Sequence, residues 1–75
     1  LKRMRSYIGK TLRVLCDGVA DDESCFVGRA YFSAPDIDGV VYFNAAFAEQ
    51  GKYYDVYIEK ADSYNLFGRT EDYEE

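Results

Sequence analysis

Residues 53–61, YYDVYIEKA, put Tyr54, Val56 and Ile58 on one side of an extended chain and Tyr53, Asp55, Tyr57 and Glu59 on the other. A period of two belongs to a strand with one apolar face, because a helix would scatter the same residues around its axis. Leu12, Val14 and Cys16 alternate in the same way with Thr11, Arg13 and Leu15. Three shorter runs read as strands too: Cys25 to Phe32, Val40 to Phe43, and Tyr64 to Phe67, the last closed by Gly68. Asp17 to Ser24 predicts a polar turn, and Gly28 inside the second run predicts a bulge or sharp bend. Five short strands with turn signals between them predict an all-β fold, a small five-stranded antiparallel barrel whose closure removes exposed sheet edges.

Two segments fall outside the alternation. Leu1 to Ser6 is basic, carries no core face, and reads as the end of a linker from an upstream domain, the frayed end of a connecting helix. Ala45 to Gln50 is alanine-rich and can form one helical turn ended by Gly51. Seventy-five residues hold one core, so the expected division is linker 1–6, barrel 7–69 and an acidic, disordered tail 70–75. The chain begins at Leu1, shows no signal peptide, and has no apolar run near the roughly 18 residues of a membrane span. It reads as a cytoplasmic piece of a longer protein.

The net charge of −5 is unevenly spread. Lys2, Arg3 and Arg5 are basic, Glu71, Asp72, Glu74 and Glu75 are acidic, and residues 6–70 carry ten acids against six bases. Such a body does not attract nucleic acid by its overall field and suits a basic protein better, unless its acids only keep it soluble. With no histidine, and only Cys16 and Cys25 for sulfur ligands, a zinc site is not expected. The two cysteines border one turn and can face each other across a hairpin, as thiols in a reducing compartment. No nucleophile motif or glycine-rich phosphate loop accompanies the carboxylates, so no catalytic residue is assigned.

Residues 28–39, GRAYFSAPDIDG, carry the strongest binding signal. Pro35 fixes its own φ and holds Ala34 extended, Asp36 and Asp38 can cap local backbone, and Gly39 can take a positive φ. The result is either an ordinary turn or a shaped, acidic recognition loop. Tyr31, Tyr42, Tyr53, Tyr57 and Tyr64 offer a second candidate surface. Barrels of the oligonucleotide-binding type stack bases on such rings, with Arg13, Arg29, Lys52 and Lys60 available for phosphates. The competing reading leaves these tyrosines half-buried on the barrel wall with wet hydroxyls.

Gly9-Lys10, Val14-Leu15, Gly28-Arg29-Ala30, Ala34-Pro35-Asp36-Ile37-Asp38-Gly39, Val41-Tyr42, Gly51, Val56 and Ala61-Asp62-Ser63-Tyr64-Asn65-Leu66-Phe67-Gly68 follow in an order that resembles a TRAM domain. More narrowly, the chain is similar to the C-terminal TRAM domain of ribosomal-protein methylthiotransferases, from about Tyr7 to Gly68. Two positions depart from that pattern: Asp36 replaces a more usual glutamate, and Asn65 replaces a more usual aspartate. The resemblance implies an OB-like barrel and a parent radical S-adenosylmethionine enzyme with two 4Fe–4S iron–sulfur clusters held by upstream domains. Its implied substrate is an aspartate of small-subunit ribosomal protein S twelve. It also implies that this domain docks the protein substrate, with Pro35, Asp36, Ile37 and Asp38 as contacts and Arg29 and Tyr64 as secondary candidates. RNA binding by the tyrosine face, of tRNA or rRNA, and simple packing on the upstream catalytic domain are the alternatives.

Overall fold

The computed structural model describes residues 5–20, 24–30, 39–62 and 64–71. Five strands, β1 (Thr11–Val19), β2 (Phe26–Arg29), β3 (Val41–Asn44), β4 (Tyr53–Ala61) and β5 (Leu66–Thr70), close in the order β1-β2-β3-β5-β4. The all-β barrel expected from the alternation is therefore present. Four seams are antiparallel, while β3 and β5 run parallel, Val41 opposite Leu66 and Asn44 opposite Arg69. A closed ring with an odd number of strands cannot alternate direction all the way round, so one parallel seam is a requirement of closure.

The alternating residues of β1 and β4 point as expected. Val14, Val41, Val56, Ile58 and Leu66 are wholly buried, and Leu12, Cys16 and Phe43 join them in one core. Burying each of these larger aliphatic side chains contributes about 1.5–3 kcal/mol before conformational entropy is counted. The Phe43 ring packs against the Phe26 ring at 5.9 Å and the Tyr54 ring at 6.4 Å, adding aromatic surface to the core.

Several local expectations are corrected. β1 runs on through Asp17 and Gly18 to Val19, and its register shifts between Cys16 and Gly18, so the bulge belongs to β1 and not to Gly28. Gly28 lies opposite Cys16, where an added Cβ would run into the Leu15 carbonyl oxygen. Gly68 does not end β5; it sits inside the strand against the Tyr57 carbonyl oxygen, and Thr70 beyond it is buried. β2 is only Phe26–Arg29, and the remainder of the predicted second strand beyond Ala30 lies outside the described residues.

Residues 45–50 form no helical turn. Ala48 is buried, and the connection is stitched to β1 by Gly51 N–H to the Cys16 carbonyl at 2.8 Å and Cys16 N–H to the Lys52 carbonyl at 2.9 Å. The Glu49 N–H adds a bond to the Tyr54 hydroxyl at 2.8 Å. Cys16 and Cys25 are both free and do not face each other, since Cys16 pairs with Gly28 and the Cys25 carbonyl accepts from Ala20 N–H. Burial pushes the Cys16 thiol up, only partly offset by its contact with the Gly18 carbonyl. Among the described residues no helix is long and apolar enough to cross a membrane.

Candidate functional site

The β4–β5 connection, residues 62–65, is a compact turn built by its own side chains. The Asp62 carboxylate accepts hydrogen bonds from the N–H groups of Tyr64 at 2.8 Å and Asn65 at 2.7 Å, both to Oδ1. Asp62 N–H in turn donates to the Asn65 carbonyl at 3.0 Å. An aspartate that bonds its own backbone two and three residues on is the Asx pattern, and it holds a turn without burial. The two N–H donors favour the ionised form and hold the Asp62 carboxyl below the usual aspartate range.

This turn grips the end of the acidic segment. The Asn65 side-chain oxygen accepts from Val40 N–H at 3.1 Å, and Leu66 N–H donates to the Val40 carbonyl at 3.0 Å. Gly39 packs so closely that an added Cβ would meet the Tyr64 carbonyl oxygen, with Asn65 Oδ1 only 2.7 Å away. Gly39 is thus required by close approach. Two sequence motifs separated by 25 residues are joined into one structure.

The sequence-predicted site residues fare differently. Pro35, Asp36, Ile37 and Asp38 lie outside the described residues. Arg29 stands at the end of β2, where the chain departs toward that segment, and pairs with Asp17 of the β1 bulge at 3.6 Å. Both side chains are about half exposed, so this tie contributes at most about 1 kcal/mol. Tyr64 stands where the segment returns, and the residue is 68% exposed. Asp62 and Asn65 were not singled out as site residues by sequence reasoning, although the Asp-x-x-Asn spacing is the signal of such a turn.

The described tyrosines of this group stand on separate elements: Tyr42 on β3, Tyr53 and Tyr57 on β4, and Tyr64 in the β4–β5 turn. Tyr42 is half-buried and stacks on Phe67, with centroids 5.5 Å apart and planes at 17°. Tyr53 and Tyr57 are 41% exposed on the outer face of β4, with Asp55 between them. The Arg13 guanidinium lies over the Tyr53 ring at 5.7 Å. Tyr31 lies outside the described residues. A cleft of about 330 Å³ beside Tyr57 is lined by Thr11, Arg69, Thr70 and Glu71, but the Arg69 charge is already met by Glu59 at 3.3 Å.

Charge is distributed to match. Arg29–Asp17, Lys52–Glu49 and Arg69–Glu59 pair on the barrel surface, and the described part of residues 6–70 carries five acids against six bases. The remaining acids of that body, Asp21, Asp22, Glu23, Asp36 and Asp38, fall in the connections on either side of β2. The wall is balanced and the loops are acidic.

The chain is a closed five-stranded barrel whose described charges are nearly balanced. Residues 8–70 match the TRAM domain profile, and the chain belongs to that family. Over 67 residues, 88% of its length, it is 43% identical to the Vibrio vulnificus protein named "Ribosomal protein uS12 methylthiotransferase RimO". Proteins of the same name from Proteus mirabilis and Vibrio cholerae are 46% and 45% identical over 89% and 88% of the chain. The chain spans only 14–15% of the length of these relatives.

Proposed function

We propose that this chain is the substrate-docking domain of a radical S-adenosylmethionine methylthiotransferase that modifies an aspartate of ribosomal protein uS12 in the cytoplasm. Its part is to hold a basic protein substrate while the chemistry proceeds elsewhere in a longer protein. The observation that carries this reading is the placement of charge: a neutralised barrel wall, with the surplus acid in two connections, one of them gripped at Gly39 and Val40. Ribosomal proteins are rich in Lys and Arg, and acidic loops on a fixed base complement them in sign. The name shared by the relatives supports the choice of substrate.

Of the cofactors of such an enzyme, S-adenosylmethionine and two 4Fe–4S clusters, the clusters find no ligand set among the described residues. Cys16 is buried in the barrel core, Cys25 lies apart from it, and among the described residues no three His, Cys, Asp or Glu side chains cluster to hold a metal. No chemical step is therefore assigned to the domain. RNA binding is the second reading, favoured by Arg13 over Tyr53 and by the exposed Tyr57. Asp55 between the two rings and the Tyr42–Phe67 stack count against a continuous base-stacking surface.

The test uses the full-length enzyme. Asp36→Lys with Asp38→Lys is expected to raise KM for the protein substrate on the order of 10-fold and to leave kcat within about 2-fold, the signature of lost docking. An unchanged KM contradicts the proposal.

A further inference from the structure

We infer that the Asp62–Tyr64 turn receives an arginine side chain of the protein partner, with the Tyr64 ring as its platform and the Asp62 carboxylate as its counter-charge. This rests on the docking function proposed above and names the side-chain chemistry that the surface recognises.

Tyr64 is the most exposed large hydrophobic residue described, at 68%. A solvent-facing tyrosine on a loose loop would need no explanation. This one stands on an immobilised backbone: its N–H is bound by Asp62, its carbonyl is covered by Gly39, and the next side chain holds Val40. An aromatic ring on a fixed base loses little further backbone freedom on binding, which favours it as an anchor.

Asp62 supplies the charge. Its Oδ1 is engaged by the turn, its side chain is exposed, and among the described residues no cation pairs with it. Elsewhere on the barrel, Lys10 and Arg13 each lie 5.7 Å from a tyrosine centroid, over Tyr7 and Tyr53. Among the described residues no cation lies over Tyr64. A planar guanidinium satisfies ring and carboxylate together, by stacking on the first and donating to the second, whereas an ammonium cannot stack.

The 75-residue chain is titrated with uS12 and with two glycine–serine peptides that differ only in a central arginine or its neutral analogue citrulline. The Tyr64 ring resonances are expected to move with the arginine peptide and not with the citrulline peptide. Tyr64→Ala is expected to weaken uS12 binding about 3- to 30-fold, and Tyr64→Phe, which keeps the ring, to stay within about 2-fold. Equal shifts with both peptides, or full affinity of Tyr64→Ala for uS12, overturn the inference. So do Tyr64 shifts produced by RNA and by neither peptide. Arginine-dependent shifts in a chain that ignores uS12 would support the site and overturn the docking function.

Discussion

Asp62 and Asn65 show how much one short polar side chain can organise when its partners are backbone groups. Asp62 closes its own turn, and Asn65 reaches a strand 25 residues away. Because the bond from Val40 N–H needs only an acceptor, the amide at position 65 does what a carboxylate would do, and the loss of charge there is immaterial to the grip. Asp62 is different, since its ionised form is the one the turn favours. Its folded-state pKa lies below the unfolded value, so this stabilisation is complete above the ordinary aspartate pKa and is lost as pH falls through the lowered one. Thermal melts of wild type and Asp62→Asn are expected to differ at neutral pH, wild type the more stable, with the gap closing in acid. Asp62 has the residue type of an Asx turn but was not read as one, and the partner of Asn65 was not legible, because nothing local to Asn65 points to Val40.

At the scale of the elements, alternation made β1 and β4 readable, and both put the expected residues inside. Strand ends were harder to read, because Asp17-Gly18 and Gly68 carry turn chemistry that the barrel overrides. A bulge absorbs the first pair, and the second sits where β4 and β5 come too close for a side chain. Gly68→Ala is accordingly expected to destabilise the barrel by about 1–3 kcal/mol, lowering Tm by several degrees, although local propensity alone favours alanine over glycine in a strand. A variant as stable as wild type in urea melts would show that β4 and β5 can separate. The alanine run at 45–48 failed as a helix for a related reason: Ala48 is buried in the core cluster, and Gly51 and Lys52 are bonded to β1.

At the scale of the whole molecule, the closed barrel carries few charges that are not already balanced, and its surplus negative charge sits in connections. That division was partly visible in the net charge of the body, but its assignment to loops needed strand ends and ion pairs. The proposed docking function brings a basic protein against the Gly39–Val40 and Asp62–Asn65 junction. The direct measurement is an isotope-labelled NMR titration of the chain with uS12 and, separately, with a short RNA at moderate salt. Docking predicts shifts at Gly39, Val40, Tyr64 and Asn65 with the protein, and little response from Tyr53 and Tyr57. Shifts along Tyr53 and Tyr57 with RNA, weakening as salt rises, and none at the junction with uS12, would contradict it.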